Sequence, residues 1–141
     1  MTRKSIIILI IITALFAATA YTLLQKNPEI EKIIFSENNL LTEKEIEVYN
    51  ENNPEFDSEK QIYAILLVKN LLKGSVIEVK WKINEIDAEE LVQENSITVK
   101  DEGSGKIVVS LVQKNRSNRS GEYNVYVTMG EQKLKSSFNI R

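Results

Sequence analysis

Neither cysteine nor histidine occurs among the 141 residues of this chain. Without cysteine there is no disulfide framework, no thiolate nucleophile and no lipid-modified cysteine anchor. Without histidine the commonest general base is missing. Together the two absences remove the usual zinc ligand sets and the Ser-His and Cys-His dyads. With only 5 glycines and 2 prolines, collagen-like and low-complexity architectures are excluded. Neither sign of charge dominates: 18 Lys and Arg stand against 20 Asp and Glu, too even a balance for a nucleic-acid footprint.

What is present is 43% hydrophobic and 27% charged, the composition of a globular protein with room for one domain after any leader. The charges are unevenly placed. Residues 29–59 hold ten acidic side chains against Lys32 and Lys44, a net −8, whereas residues 60–141 hold thirteen basic against ten acidic, a net +3. The acidic third would be repelled by an anionic lipid surface.

Arg3 and Lys4 open the chain, and residues 5–24 then run without a charge, about the length that crosses a hydrocarbon core as a helix. Two readings stay open. One is an uncleaved signal anchor that contacts the membrane through residues 5–24. The other is a signal peptide cleaved after Ala20, at the small-residue pattern Ala18-Thr19-Ala20, which leaves a secreted protein. The apolar run continues through Tyr21, Leu23 and Leu24, which favours the anchor. Basic residues precede the run and acids follow it, so the N-terminus is expected in the cytoplasm and the C-terminal domain outside. The expected division is residues 1–24 as basic tip and helix, 25–28 as linker, and 29–141 as an exported domain made of an acidic part, 29–59, and main strands, 60–141.

Beyond Pro28 the pattern is one of short β-branched and aromatic runs. Strands are expected at Ile30–Ser36 and Glu45–Tyr49, and at Gln61–Lys69 a central strand either covered on both faces or with a semi-buried outer face. Ser75–Ile83 alternates most cleanly, with Ile77, Val79, Trp81 and Ile83 on one face and Glu78, Lys80 and Lys82 on the other. Asp87 with Glu90 three residues on suggests one capped helical turn. Ser96–Lys100 and Lys106–Gln113 flank an Asp-Glu-Gly-Ser-Gly turn and are expected to pair as a hairpin. Residues 123–128 and 133–140 alternate around Gly130 as the last two antiparallel strands. The doubled Asn-Arg-Ser of residues 115–120 then serves as the connection entering the penultimate strand; it also matches the N-glycosylation acceptor pattern twice, but Asn, Ser and Gly suit a turn.

About seven short strands with one Trp on a middle strand predict an all-β, antiparallel β-sandwich preceded by one transmembrane or signal helix. Trp81 and the Gly121-Glu122-Tyr123-Asn124-Val125 stretch resemble the core Trp and the tyrosine-corner strand of immunoglobulin-like domains, in particular the disulfide-free ones of bacterial surfaces and periplasm. The resemblance covers roughly residues 59–141, or 29–141 where the acidic part is counted with the sandwich. It implies a sandwich and, by itself, no function.

No catalytic, metal-binding or cofactor-binding constellation emerges, so the chain is expected not to be an enzyme and to need no cofactor. The candidate partner contacts are Arg116 and Arg119 on the Asn-Arg-Ser connection, and Tyr126, Lys133 and Lys135 on the polar face of the last hairpin. The expected role is a membrane-anchored, protein-binding or accessory module outside the cytoplasm, with no nucleic-acid partner. The alternative is a carbohydrate- or cell-wall-binding module, for which Tyr49, Tyr63 and Tyr126 are the available stacking aromatics.

Overall fold

The computed structural model describes residues 10–17 and 27–141. Residues 10–17 are helical, and Ile10, Ile11, Ile12 and Phe16 are exposed on them. No helix among the described residues is long and apolar enough to cross a membrane. Most of the expected span, and both of its ends, lie outside the described residues.

Residues 29–141 form eight strands and one short helix: β1 (Glu29–Ser36), α1 (Glu43–Val48), β2 (Glu55–Phe56), β3 (Tyr63–Leu71), β4 (Val76–Asn84), β5 (Glu89–Thr98), β6 (Gly103–Ser110), β7 (Gly121–Met129) and β8 (Gln132–Ile140). They make a three-stranded sheet, β1-β3-β6, and a five-stranded sheet, β2-β8-β7-β4-β5. All pairs are antiparallel except the two-residue β2 beside β8. This strand order, with a tyrosine corner entering β7, is an immunoglobulin-like sandwich. The acidic residues 29–59 belong to it, through β1 in one sheet and β2 in the other.

The core lies between the sheets. Ile77, Val79, Trp81 and Ile83 of β4 are all buried, as the alternation requires, and they meet Tyr123, Val125 and Val127 of β7 in register. Phe138 is the aromatic centre, stacked on Tyr123 with ring centroids 5.0 Å apart and 4.6 Å from the ring of Phe35 across the sandwich. Strand β3 is apolar on both sides for a reason. Ala64, Leu66 and Val68 face the inter-sheet core, while Ile65 and Leu67 join Ile34 and Ile46 in a second cluster beneath α1.

Three expectations are corrected. Glu45–Tyr49 is not a strand but the body of α1. Thr42 and Glu45 form a reciprocal capping box, and the Lys32 ammonium donates to the carbonyls of Glu47 (3.2 Å) and Tyr49 at the other end. Asp87 does not cap a helical turn; it lies in the tight β4–β5 hairpin, where Glu85 N–H donates to Ala88 O at 2.9 Å. The residues after it are drawn into strand pairing with β4. Finally, β5 and β6 do not pair. Val99 N–H donates to Ser75 O and Gly74 N–H to Val99 O, both at 2.8 Å, which fixes the end of β5 beside the β3–β4 turn. The chain then crosses to the other sheet through Gly103, whose φ of 134° favours glycine.

Candidate functional site

Strands β5 and β6 are the edges of their sheets, so one side of the sandwich is open where they fall side by side. A glutamine side chain spans this gap. Gln93 of β5 accepts from Val112 N–H at 2.8 Å and donates to Ser110 O at 2.8 Å, using its carboxamide as a short stretch of strand. It also donates to Asn95 Oδ1, which accepts from Trp81 Nε1 at 3.1 Å, so the core indole is satisfied from the same edge. Gln132 does the same on the opposite side, bonding both Ile30 N–H and Ile30 O at 2.9 Å. Neither glutamine stands out in the sequence; the only signal is a polar residue at an inward register position, as Gln93 is opposite Trp81.

Beyond Gln93, toward the β4–β5 hairpin, the start of β5 and the connection from Leu111 to Arg119 diverge and leave a groove of about 400 Å³. Leu91, Val92, Leu111 and Val112 give it an apolar lining, with Leu91 48% and Val112 68% exposed. Its far end is closed by Arg119, whose guanidinium pairs with Glu90 at 3.1 Å and with Glu85. These pairs hold the Arg119 charge in its protonated form, Glu90 first.

The doubled Asn-Arg-Ser motif builds the outer wall of this groove. Asn115 and Arg116 both have positive φ, 55° and 64°, in a tight turn closed by Ser117 N–H on Lys114 O at 3.2 Å. Asn118 is buried, its backbone N–H on Ser58 O and its carboxamide on Lys60 O, so this second acceptor-pattern asparagine is a structural clamp. The Tyr123 hydroxyl donates to Arg119 O at 2.8 Å: this is the tyrosine corner expected from the sequence. Burial pushes the Tyr123 phenol up.

On the outer face of the five-stranded sheet, Tyr126 donates to both oxygens of Glu89, at 2.7 and 2.9 Å. Lys82 and Lys135 lie over its ring at 5.0 and 5.6 Å. Asn124, only 2% exposed, donates to Glu89 and Asn84 and accepts from Ser137. The Tyr126 hydrogen bond above all, with help from Asn124 and Lys82, lowers the Glu89 carboxyl below its usual range and raises the Tyr126 phenol.

The five candidate contact residues therefore divide into two groups. Arg116 and Arg119 stand on the groove connection, with Arg119 engaged and Arg116 without an acidic partner among the described residues. Tyr126 and Lys135 come together on the sheet face, and Lys133 lies on that same face opposite Thr128, with no acidic partner among the described residues. The two groups meet through the neighbours Glu89 and Glu90, one held by each. Their shared effect is to brace the β4–β5 hairpin, whose tip carries Ile86 at 99% exposure. The tyrosines available for sugar stacking do not share a face: Tyr49 and Tyr63 pack beneath α1 on the three-stranded sheet, and Tyr126 belongs to the other sheet.

No protein-family model matches the chain, and no curated protein matches it. Among solved structures, it is similar to a Niemann-Pick type C2 protein from the Japanese carpenter ant, with a TM-score of 0.48 and 11% identity over 82% of this chain and 94% of that one. It is also similar to a CARDB domain from Pyrococcus furiosus determined in complex with di-metal ions, with a TM-score of 0.40 and 12% identity over 64% of this chain and 83% of that one. The immunoglobulin-like assignment rests on strand order, register and the tyrosine corner of the chain itself.

Proposed function

We propose that the chain is a membrane-anchored, non-catalytic module of the bacterial cell envelope that displays its immunoglobulin-like sandwich outside the cytoplasm and binds a protein partner along the open β5 side. The observation that carries this reading is the groove beside β5. There Leu91 and Val112 stay exposed next to a strand edge with no pairing strand among the described residues, while the surrounding hairpin is braced by Arg119 and Tyr126. Preformed apolar surface beside a free edge is what strand-adding and side-chain-capturing partners use. Anchoring is supported by the uncharged run of residues 5–24 after Arg3 and Lys4, and by the exposed aliphatic side chains on helical residues 10–17. The acidic residues 29–59 suit a domain that stands off an anionic membrane.

The test is site-specific photo-crosslinking in native membranes with the full chain. A photoreactive side chain in place of Val112 is expected to give one discrete protein adduct, whereas the same group in place of Lys73, in the turn at the other end of the sandwich, is not. Equal or absent adducts at both positions would remove the proposal.

A further inference from the structure

The turn that walls the groove holds its two central residues in the left-handed region, Asn115 at φ 55° and Arg116 at φ 64°. Asparagine tolerates that conformation, but the second position of such a turn favours glycine, because any Cβ there is strained. Elsewhere among the described residues positive φ falls on glycine, at Gly74, Gly103, Gly121 and Gly130, or on asparagine, at Asn53 and Asn70. An arginine that keeps a strained backbone at an exposed turn points to work done by its side chain. Lys114, one residue before the pair, lines the groove together with Asn115 and Ser117, whereas Arg116 stands on the turn outside that lining; neither cation has an acidic partner among the described residues. Glu90, the acid in the groove lining, is paired with Arg119, which it shares with Glu85.

Resting on the protein-binding reading above, we infer that the groove receives an extended acidic segment of the partner, with an aliphatic side chain between Leu91 and Val112, a carboxylate on Lys114 in the groove, and a second carboxylate on Arg116 where the segment leaves the groove across the turn. The lining supplies the apolar contact, the unpaired cations supply charge complementarity, and the free edge of β5 supplies main-chain donors and acceptors. Arginine is suited to such a turn because its planar fork can take a carboxylate through two parallel hydrogen bonds.

The experiment uses the full chain in lipid nanodiscs and two labelled probes, a short peptide of alternating leucine and glutamate and its leucine and lysine counterpart. Fluorescence anisotropy is expected to show saturable binding of the glutamate peptide alone, weakened by salt. Arg116→Gly is expected to lower that affinity about fivefold to tenfold while leaving the thermal midpoint unchanged or raised. Val112→Glu is expected to abolish the same binding without unfolding, since the site is exposed. Equal binding of both peptides, or wild-type affinity in Arg116→Gly, overturns the inference. If these results fail while the crosslink at Val112 still yields its adduct, the partner's chemistry is wrong and the docking site stands.

Discussion

Arg119 and Tyr123 meet at one carbonyl, and their substitutions should separate cleanly. The Arg119 guanidinium makes two ion pairs in solvent, which contribute little to stability, whereas the Tyr123 hydroxyl satisfies Arg119 O from a buried ring. Tyr123→Phe should therefore cost about 1 to 2 kcal/mol in chemical denaturation, and Arg119→Gln should leave the denaturation midpoint nearly unchanged. Glu89 offers a pH test. Its folded carboxyl is held below the usual 4.5, first by the Tyr126 hydrogen bond. A depressed pKa contributes stability that is fully present above 4.5 and lost as pH falls through the lower folded value. Melting temperature should thus fall on acidification through that window, and it should fall less steeply in Tyr126→Phe; identical slopes would show that the bond has no energetic consequence. Trp81 is the residue that sequence revealed most directly. Its place among Ile77, Val79 and Ile83 announced a core indole, and it is fully buried. Asn95, which caps that indole, was not legible because nothing local marks an asparagine as facing inward.

At the scale of elements, legibility followed whether the stabilising contacts were local. Strands β4, β7 and β8 have one dry and one wet face, and period-two alternation reports that directly. The Glu45–Tyr49 run alternates too, yet it folds as α1, because the capping box at Thr42 and the Lys32 ammonium satisfy both helix ends while Ile46 enters the second core. One of those partners lies on β1, beyond the reach of a local pattern. The β5–β6 error has the same origin: a Gly-rich turn between two strands permits a hairpin or a crossing, and the choice is made by bonds to Gly74 and Ser75. A six-residue helix has almost no stability alone, so its cap should matter measurably. Thr42→Ala should cost about 1 kcal/mol and speed hydrogen exchange at the Glu45 and Ile46 amides, leaving β4 amides protected. Uniform loss of protection across both sheets would argue that α1 does not open as a separate unit.

For the whole molecule, the question is what keeps two sheets in register without a disulfide. Hydrophobic contact between them is strong but lacks direction, whereas the sides of the sandwich need the backbone groups of one sheet matched to the other. Two glutamines supply this: Gln93 joins β5 to Ser110 and Val112, and Gln132 joins β8 to Ile30. Each carboxamide serves one N–H and one C=O; those of Ile30 are part-buried and left unsatisfied if Gln132 is truncated, whereas those of Ser110 and Val112 are exposed and regain water without Gln93. Gln132→Ala should therefore cost about 1 to 3 kcal/mol and Gln93→Ala about 0.5 to 1.5 kcal/mol. The strand order puts them on opposite sides of the sandwich with no shared partner, so the double variant should show the two costs added to within about 0.5 kcal/mol. Fluorescence of Trp81, the single tryptophan, reports the loss of the core in urea. Because Gln93 also supports the Asn95 bond to that indole, Gln93→Ala alone should shift the folded-state emission, and Gln132→Ala should leave it unmoved. A double variant no less stable than either single one would mean that the two sides are closed by something other than these side chains.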